Sequence, residues 1–440
     1  MYRFHLILFL ILIFNACQSK LQEEAIPKPE PSALDSIPID EIPKGLPIFH
    51  PEFKDSIQAK LEAEQIRSTI SYHKLLQIGR YQDVKVQTEI DLEFGLDSLL
   101  ESEEQFIQQH QLKNAYETIL SQADQYKMII MTEAHTKPEH RVFASQLLKG
   151  LYDKGYRYLG LENILPRINE SKSIPFDSTM QERGYPLLSN LSGIYSSEPH
   201  YANLIREAAA LGMKIFAYER NGPGSERDLM QAEHIIDFQR RHPDGKIICY
   251  GGWYHAVEDK IEKWPGSGSY WLAYHYKNFT GDDPLTIYQD AFNEKFNIPS
   301  SPYYALFQKE LSELDFPQCL IDAKGQNYEG QSLELPFDIV TLTPPIAYNE
   351  NDLPHWLQWY TLNGEYQMRD LSSYLKDALT YPILVSIREY HASELATPIH
   401  CYQLDQQPDG AFELPLKDGW YWLELKDRNG TIQSIELGVF

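Results

Sequence analysis

The sequence predicts an α/β fold: a mostly parallel sheet with flanking helices, followed by a small C-terminal antiparallel β-sandwich. Three observations lead there. Short runs that are apolar on both alternations, such as Met128-Ile129-Ile130-Met131, suit strands buried on both faces. Segments of helical spacing alternate with them, which implies a parallel sheet with right-handed crossovers. Past Pro344-Pro345 the texture changes to short strands separated by turns at Pro408-Asp409-Gly410, Lys417-Asp418-Gly419 and Arg428-Asn429-Gly430.

Taken in order, residues 1–16 read as a targeting segment. Arg3 gives a positive start, and the run from Leu6 to Phe14 is almost purely apolar before Asn15-Ala16-Cys17. It is short for a spanning helix. Residues 17–51 read as a tether, because Pro27, Pro29, Pro31, Pro38, Pro43 and Pro47 among Glu and Ser leave too little apolar surface to fold. Residues 52–115 form a helical lead-in with Leu61, Ile66, Ile70, Leu75-Leu76, Leu99-Leu100 and Phe106, and no chemistry is expected of it.

The α/β domain is expected over 116–349. A strand ends at Glu133. Pro138 then opens a helix carrying Val142, Phe143, Leu147, Leu148 and Leu151. A second strand spans 156–161. After a long insertion, about 163–196, Ser197 is expected to cap a helix that starts at Pro199 and stops at Gly212. Strands over 214–218 and 246–250 flank a helix over 225–241. Later strands are expected at 270–276 and 337–342. Residues 350–380, rich in Trp and Tyr, are expected to pack on the core, and 381–440 to form a separable β domain without catalytic residues.

Composition narrows the function. The 440 residues exceed one typical domain, and 42% hydrophobic content is globular. A formal net charge of −24 argues against a nucleic-acid partner. Setting Cys17 aside leaves Cys249, Cys319 and Cys401, which lack metal-ligand spacing. At least one must be a free thiol, with Cys249 expected.

Four consecutive strand ends deliver polar chemistry: Glu133 and His135, Glu162, Glu219 with Arg220, and His255 after Gly251-Gly252. Ligands of open α/β sheets gather outside the carboxyl ends of strands. Carboxylates and imidazoles converging there can activate a water, with Glu133, His135, Glu162, Glu219 and His255 as the catalytic set. They can also hold a divalent metal ion, with Glu133, His135 and His255 as ligands. Arg220, Arg227, Gly252 and His140 are candidate substrate-binding residues. Against this, any single Glu at a strand end is commonly solvated or capping, and Arg227-Asp228 fits an ordinary charge pair at a helix start.

At these residues the chain resembles a superfamily. Glu133-Ala134-His135 with Pro138-Glu139-His140 is similar to the signature of ChaN-like haem-uptake lipoproteins, whose superfamily also includes erythromycin esterases and TIKI and TraB metalloproteases. Leu161-Glu162, Tyr218-Glu219, Arg227-Asp228-x-Met230 and Gly252-x-x-His255 follow in the same order, over about 123–344. One departure is Thr132 where the family has glycine, expected to narrow the space beside Glu133. The resemblance implies a hydrolase of an ester or amide, with a small-molecule or peptide substrate. Alternatively it implies a haem-binding protein of haem uptake with a tyrosine ligand, or a non-catalytic binding module. The N-terminal segment resembles a bacterial lipoprotein signal, which implies acylation of Cys17, the lipid bilayer as a partner, and the cell envelope, at the outer membrane, as the location. Fatty-acid labelling in a bacterial host tests this: the label is expected on the wild-type chain and lost in Cys17→Ala, and equal labelling of both rejects the anchor.

Overall fold

Strand β2 (Met128–Glu133) lies inside the main sheet with all its residues buried, as an apolar run on both alternations requires. The computed structural model describes residues 46–85, 101–169, 172–175, 177–220, 222, 224–260, 270–292, 302–328, 337–375 and 380–440. The expected signal segment, Cys17, most of the tether and Leu99-Leu100 lie outside them. The main sheet joins β1 (His110–Asn114), β2, β3 (Tyr156–Leu161), β6 (Lys214–Ala217), β7 (Lys246–Gly252), β8 (Leu285–Phe292), β9 (Gln318–Asp322) and β10 (Ile339–Leu342). A separate hairpin, β4 (Pro166–Asn169) and β5 (Lys172–Pro175), sits in the insertion after β3. The spatial order is β1-β9-β10-β8-β2-β7-β3-β6, with β9 antiparallel to both of its neighbours and the strands from β10 to β6 parallel.

This order contains a topological switch. The chain steps from β2 past the future place of β7 to β3 and β6, then returns to insert β7 between β2 and β3, and continues to β8 on the far side of β2. The helices follow the reversal. After α1 (Lys54–Glu62), α2 (Ser68–Gln77), α3 (Glu101–Ile107) and α4 (Ala115–Gln122) come α5 (Pro138–Asp153), α6 (Met180–Arg183) and α7 (Pro199–Ala210). The outward crossovers α5 and α7 pack on the face that carries Ile129, Met131, Ile248 and Tyr250. The return crossovers α8 (Gly224–Arg241) and α9 (Leu272–Thr280) pack on the face that carries Met128, Ile130, Ile247 and Cys249. Burying each such aliphatic side chain contributes about 1.5–3 kcal/mol.

Several local expectations are corrected. Residues 270–276 are not a strand: Leu272, Ala273 and Tyr276 are buried in α9, one helical turn apart, and Gly281 at φ 69° stops the helix. The strand beside β2 is β8, and β1 and β9 also went unforeseen. β1 reads His-Gln-Leu-Lys-Asn and offers no apolar run. The cap of α7 is Glu198, whose carboxylate accepts from the backbone N–H groups of His200 (3.0 Å) and Tyr201 (2.9 Å), rather than Ser197. The chain is docked before residue 51, since Ile48 bridges Ser189 and Phe49 donates its N–H to the Leu188 carbonyl at 2.7 Å. Cys249, Cys319 and Cys401 are all buried free thiols.

The small C-terminal sheets consist of β12 (Ile383–Glu389), β13 (His400–Leu404), β15 (Gly419–Asp427) and β16 (Ile432–Val439) in the order β13-β12-β15-β16, and a ribbon of β11 (Tyr366–Asp370) with β14 (Glu413–Lys417). They share one continuous core with the helical layer: Val142, Leu147, Tyr201 and Leu204 belong to the same cluster as Trp356, Leu384, Tyr402 and Leu423. Asn203 Nδ2 donates to the Ile399 carbonyl at 3.1 Å, and Thr397 Oγ1 donates to the Ser196 carbonyl at 2.9 Å. A chain ending at Asn349 is therefore expected to lose its cooperative urea transition and its near-UV circular dichroism. A truncated chain that unfolds as sharply as the full chain would show that the β sheets are separable after all.

Candidate functional site

The site forms where β2, β7 and β3 end side by side. Register pairs Thr132 with Gly251 and Glu133 with Gly252. Because β7 lies between β2 and β3, side chains from the outer two must meet over its last residues. Gly251 and Gly252 make that possible. A Cβ on Gly252 would lie 2.6 Å from His135 Cε1 and 3.4 Å from Glu162 Oε2, and one on Gly251 would collide with the Tyr218 hydroxyl. The Gly252 N–H also donates to Glu162 Oε2 at 2.6 Å.

On the β2 side, the organiser is Arg141 in the first turn of α5, with none of its side chain exposed. Its guanidinium donates to both oxygens of Glu133 (2.7 and 3.0 Å), to Glu198 (2.8 Å) and to the His135 carbonyl (2.8 Å). Tyr250 adds its hydroxyl to Glu133 at 3.0 Å. Burial alone would raise the Glu133 pKa, but the Arg141 charge and the His135 hydrogen bond bring it down to about 2. Burial dominates at Glu198 and raises its pKa. The ionised Glu133 takes the hydrogen bond of His135 Nδ1 at 3.0 Å. His135 Nε2 bonds to none of the described residues, and 12% of the side chain is exposed.

On the β3 side, His255 is gripped at both nitrogens: Nδ1 by Asp228 (2.6 Å) and Nε2 by Glu162 (3.1 Å). Burial opposes its charge, yet the two carboxylates raise its pKa to about 10, so it is an imidazolium at neutral pH. Glu162 resists burial in the same way and stays well below the usual carboxylate range beside His255 and Arg227. Arg227 binds Glu162 at 2.5 Å and forks onto Glu219 through Nε at 2.8 Å and through Nη2. Its Nη1 lies 3.5 Å from His255 Nε2. Both atoms are donors, so this contact is no hydrogen bond and Nη1 is left without an acceptor among the described residues.

The structure thus brings Glu133, His135, Glu162, Glu219, His255, Arg227 and Gly252 together. Arg220 borders the group and gives its backbone N–H to Glu219 at 2.6 Å. His140 does not reach the cleft: it is 1% exposed, and its Nδ1 accepts the Ala134 N–H at 3.2 Å, which fixes the turn after β2 from behind. Thr132 does not crowd Glu133, because its side chain points to the other face and its hydroxyl donates to the Ile287 carbonyl at 3.5 Å. The donor set of Glu133, His135 and His255 does not fit a metal ion. Both Glu133 oxygens are held by a guanidinium and both His255 nitrogens by carboxylates, and no metal-holding group of His, Cys, Asp or Glu occurs among the described residues. Tyr195, Tyr201, Tyr218 and Tyr250 border the group, and burial first and then nearby carboxylates raise their pKa values. A cavity lined by Lys149, Glu207, Glu365 and Lys417 lies on the helical layer away from this chemistry, its charges paired among themselves.

Arg141, Glu198 and Tyr250 were absent from the sequence-derived set, and Asp228 was read there as a plain charge pair. Arg141 is marked only by the structure: from Pro138 to Leu148 every residue of α5 is buried, and an arginine inside such a helix needs a buried acid.

No family model and no curated protein matches the chain. Among solved structures it is similar to RRSP, a MARTX toxin effector domain from Vibrio vulnificus, at 18% identity and TM-score 0.30, covering 41% of this chain and 36% of that one. It is also similar to the type III effector HopBA1 (12% identity, TM-score 0.28, 44% and 92% covered) and to ChaN of Campylobacter jejuni, described for cofacial haem binding (11% identity, TM-score 0.26, 40% and 86% covered). The chain spans about a third of the RRSP structure. Likenesses this partial touch the fold and carry no argument about activity.

The Arg141 clamp makes a prediction. Arg141→Met leaves two buried carboxylates without a cation and is expected to cost about 3–5 kcal/mol in urea denaturation at pH 7. The wild-type contribution of Glu133 is present above pH 4.5 and is lost as pH falls through about 2. In the variant the stranded carboxyls protonate at higher pH, so the gap between the two proteins should shrink on acidification. A gap unchanged between pH 7 and pH 4 would mean that the lost term is packing.

Proposed function

We propose that this chain is a hydrolase that activates water with His135 to cleave an ester or amide, tethered at the cell envelope through Cys17. The observation that carries this reading is the contrast between the two histidines. His255 has no free nitrogen and is held as a cation. His135 has one nitrogen fixed on an ionised carboxylate and the other open. Glu133 accepts the Nδ1–H and holds the tautomer that leaves the lone pair on Nε2. Nε2 takes a proton from the attacking water as its oxygen bonds to the carbonyl carbon, and then gives that proton to the departing alcohol or amine. The oxyanion that forms between these steps is met by Arg227, whose Nη1 lacks an acceptor. Glu162 and Glu219 keep that guanidinium in place, and His255 holds Glu162, which makes His255 a positioning residue.

His135→Ala is expected to lower turnover of a responsive ester or amide by about a hundredfold or more while near-UV circular dichroism is unchanged. Turnover equal to wild type in that variant removes His135 from the chemistry and the proposal with it.

A further inference from the structure

Trp253 is the residue that packing does not explain. It follows Gly252 directly, the residue is 38% exposed, and its backbone sits at φ 35°, a region a bulky residue rarely enters. Trp356 and Trp359, by contrast, are buried in the core. The Trp253 ring lies 4.7 Å from the His135 imidazole, at 57° to it. Tyr195 stacks on the same imidazole at 4.2 Å and 28°. Tyr195 comes from the long insertion and is held there by Asn163 Oδ1, which accepts its backbone N–H at 2.8 Å. Neither the Tyr195 hydroxyl nor the Trp253 indole N–H bonds to any described residue.

We propose that the exposed indole of Trp253 is a one-faced aromatic clamp beside His135 that selects substrates carrying a flat aromatic group next to the scissile carbonyl, while Tyr195 packs between the imidazole and His73 and only backs the base. This deepens the reading of His135 as the base and rests on it. The physical case is that the exposed indole lies beside the imidazole, which Tyr195 backs. A flat group laid against the exposed indole removes apolar surface from water. Its attached carbonyl is then carried toward His135 Nε2 and the donors of Arg227.

The test compares 2-naphthyl acetate with ethyl acetate. With initial rates as the readout, Trp253→Gly is expected to raise KM for the naphthyl ester tenfold or more and KM for ethyl acetate far less, while Trp253→Phe restores most of the difference. Losses of equal size on both esters mean that Trp253 only shields His135, and the clamp is rejected. Binding is measured separately by saturation-transfer NMR on His135→Ala, which should bind 2-naphthyl acetate without consuming it. Adding Trp253→Gly to that background should weaken the binding tenfold. If the wild-type chain hydrolyses neither ester, the hydrolase reading fails while this binding comparison still decides the clamp. Naphthyl binding unaffected by loss of Trp253 overturns it. Trp253→Phe, which keeps a ring at an exposed position, covers the case in which the glycine variant does not fold.

Discussion

The buried guanidinium of Arg141 is the interaction on which the rest depends. It neutralises Glu133 at the end of β2 and Glu198 at the start of α7, and it belongs to α5 itself. One charge therefore joins a central strand and the two crossover helices of one face. Buried charges are tolerable only when paired and hydrogen-bonded, and this one is met by two carboxylates, a backbone carbonyl and the face of Tyr201 at 5.3 Å. The functional consequence is local. Glu133 remains ionised inside the protein, so it can fix the orientation of His135 without taking its proton.

Two histidines at one sheet edge acquire opposite roles from their surroundings. His255 faces two carboxylates and is driven to the charged form. His135 faces one carboxylate whose charge is already shared with Arg141 and Tyr250, and its second nitrogen opens to the cleft. The same principle separates the two arginines. Arg141 is fully consumed as a structural cation, whereas Arg227 keeps one nitrogen free because its neighbour His255 is a donor. On the proposed reading, environment rather than residue type separates the base from the positioning group.

Much of this was legible in the sequence because strand ends mark themselves. Glu133, Glu162, Glu219 and Gly251-Gly252 follow apolar runs, and a parallel sheet places such positions along one edge. What was not legible depended on contacts distant in sequence. The preference of residues 270–276 for helix was hidden by aromatic side chains that suit strands equally well. β1 is a polar edge strand with no pattern to detect. Nothing around Glu198 tells that its carboxylate caps a helix and also binds an arginine 57 residues earlier. Trp253 was visible only as a residue between Gly252 and His255. Its strain and exposure are properties of the folded backbone.

The C-terminal sheets reach the site by the same route. His200, two residues beyond Glu198, lies between the hydroxyls of Tyr81 at 2.9 Å and Tyr360 at 2.8 Å. Burial, and then the Arg141 charge, lower its pKa to about 3, so it serves as a neutral bridge. Tyr81 comes from the N-terminal lead-in, Tyr360 from the turn at 355–363, and Asn203 ties Tyr360 to the strand region through the Ile399 carbonyl. These contacts fix the first turn of α7. That turn presents Glu198 to Arg141, Arg141 sets Glu133, and Glu133 sets His135. The small sheets are therefore linked to the His135 imidazole through a chain of buried hydrogen bonds.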